Sequence, residues 1–215
     1  DHFVLFWINR NARRKRPGDL LWAWKLFVDE VKEKYGKSDV SLMMHTDPRD
    51  MEGPNLFSVA ENFGIKNSVV FSTDRISFEQ INILHNISDC CINISLESMQ
   101  IGNPIIATKT GGLTRQVVDH RDDSENGVAL DVTCQTLVGS QGVPFIYEDY
   151  ASVEDIKNAI MKIYEMEPED REKLGQKSRD YVLSEFGYQN TVDLWHDSLK
   201  DTIENWNEKH QKWVC

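Results

Sequence analysis

The chain has 215 residues, of which 40% are hydrophobic, so a single domain over residues 1–215 is expected. Its 35 Asp and Glu against 24 Lys and Arg give a net charge of −11, which disfavours nonspecific binding to nucleic acid or to an anionic membrane. Four cysteines without metal-ligand spacing indicate a reducing, cytoplasmic compartment. No apolar run is long enough to span a bilayer, so we predict a soluble protein that could still work at a membrane face.

The first half of the chain alternates predicted strands and helices. The apolar run Phe3–Ile8 predicts a buried strand, and a basic loop then leads into a helix over 19–34. Further strands are predicted at 40–44, 69–71, 89–94 and 105–108, and further helices at 56–63, 78–87, 96–101 and 114–118. This alternation predicts an α/β fold, a Rossmann-like parallel sheet with helices on both faces.

The second half of the chain is less regular. Turn-forming residues dominate 119–150, which predicts an irregular surface excursion with edge strands at 128–130 and 144–147 and with Cys134 in a loop. Amphipathic helices at 153–164, 171–186 and 190–206 predict a helical C-terminal tail from about residue 171. We expect four tryptophans on helices to pack in the core or at a domain interface, namely Trp22, Trp24, Trp195 and Trp206.

A cluster of cations follows the first predicted strand, comprising Arg10, Arg13, Arg14, Lys15 and Arg16. In open α/β sheets, ligands bind beyond the carboxyl ends of the strands, so this loop is placed to bind a phosphate or diphosphate. Arg10 is the strongest candidate because it directly follows the strand. Arg13 and Arg14 fit a solvated surface position equally well.

A second segment, 96–119, carries a carboxylate and a glycine pair. Glu97 lies in the first turn of a predicted helix, where it could accept hydrogen bonds from sugar hydroxyls. Gly111 and Gly112 stand between a strand and a helix, where a backbone without side chains can approach a ligand closely. Each feature alone also fits a structural role, but together they predict a site for an anionic, hydroxyl-rich ligand. His45 and His85 lack an evident partner and receive no role.

Four short motifs occur in a specific order along the chain: N-R-N-x-x-R-K-R from residue 9, S-D-x-x-x-N-x-S from 88, L-E-S-M-x-x-G-N-P-I-I-A from 96 and T-G-G-L from 110. With the closing helices, this order resembles glycosyltransferase family four, a family of retaining GT-B enzymes. The resemblance implies that the chain is the donor-binding half. It implies transfer of a sugar from a nucleotide sugar, with GDP-mannose or a UDP-sugar as first candidates, to a glycan or lipid acceptor.

The resemblance also implies that the donor-binding half works together with a second domain. An N-terminal acceptor domain is not within these residues, so the fragment alone is expected to bind donor with little or no transfer. Peripheral membrane contact would come through that missing domain. No metal or other cofactor is expected.

The resemblance assigns roles to single residues. Arg10, with Lys15 or Arg16 as a second cation, would bind the donor diphosphate and stabilise the charge of the leaving group. Glu97 would accept hydrogen bonds from the ribose. The remaining donor-binding positions are Gly111, Gly112 and Leu113 beside the phosphates and sugar, Arg75 and Ile76 in the loop that flanks the base, and Ser95.

One departure from the family is important. The Glu-Gly-Phe-Gly type loop expected before Glu97 is absent, and Ser95 directly precedes Leu96. Either the loop is deleted, which would cripple transfer, or a flexible loop was not observed; the mobility of such loops favours the second explanation. Arg115 and Gln116 stand where many relatives carry Glu, which leaves sugar and acceptor selectivity open. The alternatives are a noncatalytic nucleotide- or phosphosugar-binding module and a GT-B nucleotide-sugar epimerase.

Overall fold

A computed structural model describes residues 2–93 and 96–209 of the chain. Its central element is a six-stranded sheet in the order β3-β2-β1-β4-β5-β6, in which all five pairings are parallel. The strands are β1 (Phe3–Ile8), β2 (Val40–His45), β3 (Val69–Ser72), β4 (Cys90–Ile92), β5 (Ile105–Thr108) and β6 (Val128–Leu130). The predicted Rossmann-like α/β fold is confirmed.

Helices follow the strands and continue to the end of the described chain. They are α1 (Pro17–Tyr35), α2 (Leu56–Asn62), α3 (Phe78–Asn86), α4 (Leu96–Ile101), α5 (Gly111–Val117), α6 (Val153–Tyr164), α7 (Pro168–Phe186), α8 (Tyr188–Glu204) and α9 (Trp206–Lys209). Helix α1 packs against α6, and α4 packs against α7. None of the described helices combines the length and the apolar character that crossing a membrane requires.

The excursion between β6 and α6 contains a hairpin that the sequence predicted incorrectly. Strand β7 (Cys134–Leu137) pairs antiparallel with β8 (Tyr147–Tyr150), separately from the main sheet. Cys134 therefore lies in a strand and not in a loop, and the strand predicted at 144–147 lies at Tyr147–Tyr150 instead. Pro144 has no backbone N–H to donate to a ladder, and a turn closes where the Ser140 N–H bonds to the Val143 carbonyl. Cross-strand pairing, which local composition does not report, determined the register.

The core lies on both faces of the sheet. On one face, Phe3, Leu5 and Trp7 of β1 pack with Trp24 and Phe27 of α1. On the other face, side chains of α4, β5, α5 and α7 form a second cluster: Met99, Ile105, Ala107, Val117, Tyr181 and Val182. Strand residues alternate between the two faces, so both faces of the sheet need an apolar cover.

The four tryptophans do not share one environment. Trp24 is fully buried and its indole N–H donates to the Ser68 hydroxyl at 3.0 Å, as expected for a core position. Trp22, Trp195 and Trp206 are exposed, and α8 has no buried residue at all. The core alternative therefore holds for Trp24 alone, and a domain-interface position for the other three stays a prediction. Helical periodicity identifies an apolar face, but it does not identify what covers that face.

A contact between two glycines seats α7 against the loop that follows α4. A Cβ atom built on Gly175 would lie 1.8 Å from the carbonyl oxygen of Gly102. Gly102 itself has a φ of +89°, in the left-handed region that favours glycine. Glycine is therefore needed at 175 for the close approach of the two backbones and at 102 for the left-handed conformation.

We expect Gly175→Ala to lower the free energy of unfolding by about 1 to 3 kcal/mol, because α7 must move to admit the methyl group. Gly18→Ala is the matched control, since its Cβ would meet only ordinary contacts, the nearest at 3.8 Å. Urea denaturation of both variants measures the difference. Equal midpoints for Gly175→Ala and the native protein would contradict the packing described.

Candidate functional site

The site lies where the strand order reverses, between β1 and β4. The chain leaves β1 toward β2 on one side and reaches β4 on the other, so the connections that follow β1 and β4 run to opposite sides. The side-chain amide of Asn9, just after β1, donates to the carbonyl oxygen of Asn93, just after β4, at 3.3 Å. Asn93 has a φ of 52°, a left-handed conformation that asparagine tolerates better than most residues. This crevice is the usual ligand position in an open α/β sheet.

A cleft of about 400 Å³ opens at this point. Its walls are formed by Ile8, Asn9, Lys15, Phe78, Ile81, His85, Asn93, Glu97 and Leu113. The basic loop after β1 contributes Lys15, the first turn of α4 contributes Glu97, and the first turn of α5 contributes Leu113. The structure therefore brings the two segments selected from the sequence to one cavity.

Lys15 is the cation of the basic loop that lines the cleft. It ends a 3-10 turn, Arg13–Lys15, directly before α1. Partial burial, with a smaller contribution from the neighbouring charge of Arg14, lowers the pKa of Lys15. Within residues 2–93 and 96–209, Lys15 forms no ion pair. A partly desolvated cation of this kind gains from an anionic ligand.

Arg10 and Arg16 are positioned differently. The Arg10 side chain is 64% exposed and forms an ion pair with Asp50 at 2.7 Å, and this carboxylate raises the pKa of Arg10. Arg16 pairs with Asp19 and stacks over the ring of Tyr150, 4.1 Å from its centroid. Neither arginine lines the cleft. The acidic turn after β2 holds the guanidinium of Arg10, and the ranking that placed Arg10 first among the cations stays a prediction.

The glycine pair forms the first turn of α5. The helix begins at Gly111, three residues earlier than predicted, and Gly111 itself has a left-handed φ of +49° directly after the extended Thr110. A Cβ built on Gly112 would meet no atom within 4 Å. Open space at this glycine is the arrangement expected if a ligand approaches the backbone there.

Strand β8 reaches both edges of the site. The Thr110 hydroxyl donates to Asp149 at 2.5 Å, and the amide of Gln135 holds the other oxygen of the same carboxylate at 2.7 Å. The next residue, Tyr150, carries the ring on which Arg16 stacks. The hairpin therefore connects the start of α1 with the start of α5.

His85 lies beneath the cleft and was given no role by the sequence. It is almost completely buried, with its Nδ1 at 3.2 Å from the Ser98 hydroxyl and its ring edge-on to Phe6. Burial lowers the pKa of His85, and the charge of Glu97 opposes this shift only in part. The imidazole is thus held neutral at pH 7.

Sequence reasoning missed six of the nine lining residues: Ile8, Asn9, Phe78, Ile81, His85 and Asn93. Asn9 and Asn93 could have been found, because each is the first polar residue after a strand next to the reversal of strand order. Phe78 and Ile81 of α3 line the cleft, whereas Arg75 and Ile76 in the preceding loop do not. The position of these two residues beside the base stays a prediction. Ser95 lies outside the described residues.

The connection from β4 to α4 is short. Ile92 ends β4 and Leu96 begins α4, and the sequence is continuous between them. The hypothesis of an unobserved loop was therefore wrong, and the short connection belongs to the chain itself. Glu97 is the carboxylate that this segment contributes to the cleft.

Comparison with solved structures identifies glycosyltransferases of the GT-B class as sharing this fold. Sucrose-phosphate synthase from Thermosynechococcus elongatus aligns with 94% of this chain and 46% of its own, with a TM-score of 0.68 and 19% identity. The C-terminal domain of the group 1 glycosyltransferase LpcC from Francisella tularensis aligns over 87% of both chains, with a TM-score of 0.62 and 18% identity. Anabaena HepE in complex with UDP-glucose aligns with 94% of this chain and 49% of its own, with a TM-score of 0.67 and 15% identity.

These similarities show the fold alone, because every identity is below 20%. The chain spans about half the length of the synthase and of HepE, and nearly the whole of the LpcC domain. No protein-family model matches the sequence, and no curated protein matches it.

The buried imidazole makes stability depend on pH. Because the folded pKa of His85 lies below its ordinary value of 6.5, the unfolded chain takes up the proton first as the pH falls. We expect stability to decrease below pH 6.5, by at most about 1.4 kcal/mol per pH unit from this group. His85→Gln removes the contribution, so the stability of the native protein should fall relative to this variant between pH 7.5 and 5.5. Urea midpoints measure both, and parallel pH profiles would refute the assignment.

Proposed function

We propose that the cleft between β1 and β4 binds the nucleoside diphosphate of a nucleotide sugar, and that the chain is the donor-binding part of a retaining glycosyltransferase. The observation that carries this proposal is the convergence of Lys15, Glu97 and the first turn of α5 on one cavity at the reversal of strand order. The complex of HepE with UDP-glucose, a protein of the same fold, supports a donor of this class.

Each wall of the cleft suits a different part of such a ligand. Lys15 supplies positive charge for the diphosphate, and its partial burial strengthens the attraction. The carboxylate of Glu97 and the amides of Asn9 and Asn93 offer hydrogen-bonding groups for hydroxyls. The apolar side chains of Phe78 and Ile81 provide a surface for a flat base.

The chemistry of transfer depends on charge at the leaving group. Breaking the bond between sugar and phosphate leaves negative charge on the departing diphosphate, and a cation fixed beside it stabilises that charge as it develops. Lys15 occupies this position in our proposal. Arg10 could contribute to this stabilisation only by leaving Asp50, and Arg16 only by leaving the ring of Tyr150. The acceptor would be a glycan or lipid bound by a further domain.

A noncatalytic nucleotide- or phosphosugar-binding module is the second candidate, favoured by the short connection from β4 to α4. That connection lacks the first of the two glutamates that the resemblance predicts. Release of free nucleoside diphosphate from UDP-glucose or GDP-mannose distinguishes the candidates, provided that the chain is joined to an acceptor-binding domain. Binding without release would favour the module.

Lys15→Ala should weaken the binding of UDP or GDP about tenfold to a hundredfold, since loss of one charge-assisted contact costs about 1.5 to 3 kcal/mol. Arg13→Ala, in the same 3-10 turn but outside the lining, is the control and should change affinity little. Arg10→Ala should have a smaller effect than Lys15→Ala. Isothermal titration calorimetry measures all three, and equal losses for Lys15 and Arg13 would refute the role of Lys15.

Gly112→Ala separates a ligand-binding role from a structural one. The space around Gly112 is open, so alanine should leave the free energy of unfolding unchanged or slightly higher. A bound diphosphate beside α5 would meet the added methyl group, and the affinity for UDP or GDP should fall about tenfold or more. A loss of stability without a loss of affinity would contradict the proposed position of the ligand.

A further inference from the structure

The tip of the β7–β8 hairpin differs in composition from the rest of the protein. Residues 134–147 contain no charged side chain, whereas 27% of the whole chain is charged. Residues 137–147 are exposed without interruption, so both faces of the tip meet solvent. Six of them are large and apolar: Leu137, Val138, Val143, Phe145, Ile146 and Tyr147. Phe145 is the most exposed of these, at 76%.

The base of the hairpin contacts the rest of the protein, whereas its tip is exposed to solvent. Asp149 and Tyr150, at the end of β8, contact Thr110 and Arg16 beside the candidate cleft. Among the described strands, β7 and β8 pair only with each other, and the tip closes on a Ser140–Val143 turn. The apolar residues are therefore displayed on a support that is anchored at the rim of the cleft.

We propose that this hairpin tip, residues 137–147, inserts into the interfacial region of a membrane built of zwitterionic lipids, which carry no net charge. Exposed apolar side chains gain about 25 cal/mol per Å² when they leave water, and a membrane interface can receive such groups to a depth of about 5–10 Å. Tyr147, at the start of β8, has the amphipathic ring that suits the boundary between headgroups and water.

Size argues for a membrane and against a protein partner. A stable protein interface uses roughly 20–30 residues on each side, and this tip offers six apolar ones on a narrow two-stranded support. A lipid surface needs no shape complementarity, so a small apolar tip is sufficient for weak, reversible attachment.

Charge selects the type of lipid. The tip has no Lys or Arg to attract anionic headgroups, and acidic residues stand on both sides of it, with Asp131 before β7 and Glu148 and Asp149 in β8. The chain as a whole carries a net charge of −11. Attachment should therefore be strongest to zwitterionic bilayers and weaker to anionic ones. The inference does not depend on what the cleft binds.

Flotation of the full chain with phosphatidylcholine vesicles tests the proposal. We expect the native protein to float and the double variant Phe145→Ser with Ile146→Ser to lose about tenfold or more in partition coefficient. Met51→Ser is the matched control, because Met51 is 94% exposed but lies outside the hairpin, and it should float like the native protein. Far-UV circular dichroism verifies that the double variant folds.

Several results would overturn the proposal. The native protein could fail to float, or the double variant could float equally well. Binding that appears only when phosphatidylglycerol is added, or that is lost in Ile203→Ser on α8 and not in the hairpin variant, would locate membrane contact elsewhere. Self-association in size-exclusion chromatography that the hairpin variant abolishes would identify the tip as a protein interface instead.

Discussion

The parallel pairing of β1 with β2 on one side and with β4 on the other is the constraint on which the rest of this structure depends. The connection that follows β1 runs toward β2, and the connection that follows β4 runs toward β5 on the other side. The two segments therefore separate and leave a crevice between them. The Asn9 to Asn93 hydrogen bond spans that crevice at its floor. Every group that we assign to ligand binding reaches it from the carboxyl end of a strand or the start of a helix.

Electrostatics then distinguishes one cation among several. In a chain with a net charge of −11, two of the five basic side chains of the loop after β1 find a carboxylate or a ring: Arg10 pairs with Asp50, and Arg16 stacks on Tyr150. Lys15 is held at the cleft in a partly desolvated position. Burial is costly for an ammonium group without a counter-charge, and a bound anion would relieve that cost. Local charge density in the sequence was therefore less informative than the position of each cation relative to the cleft.

The hairpin and α8 are two of the apolar surfaces that the described chain leaves uncovered. Helix α8 carries Trp195 and Ile203 outward on a face with helical spacing, while the hairpin combines apolar exposure with an absence of charge. Only the hairpin is tied directly to the rim of the cleft, through Asp149 and Tyr150. A membrane contact there would fix the orientation of the cleft relative to the lipid surface.

The sequence by itself determined the α/β class, the alternation of strands and helices, and the two segments that meet at the cleft, because strand and helix periodicities and glycine positions are local properties. It did not determine which cation faces the cavity, since the partner of Arg10 is Asp50, forty residues away. Nor did it reveal Phe78, Ile81 and His85, which reach the cleft only because α3 lies beside the reversal of strand order. The register of β7 with β8 and the exposure of α8 were likewise decided by tertiary structure, because pairing and burial depend on residues distant in the chain.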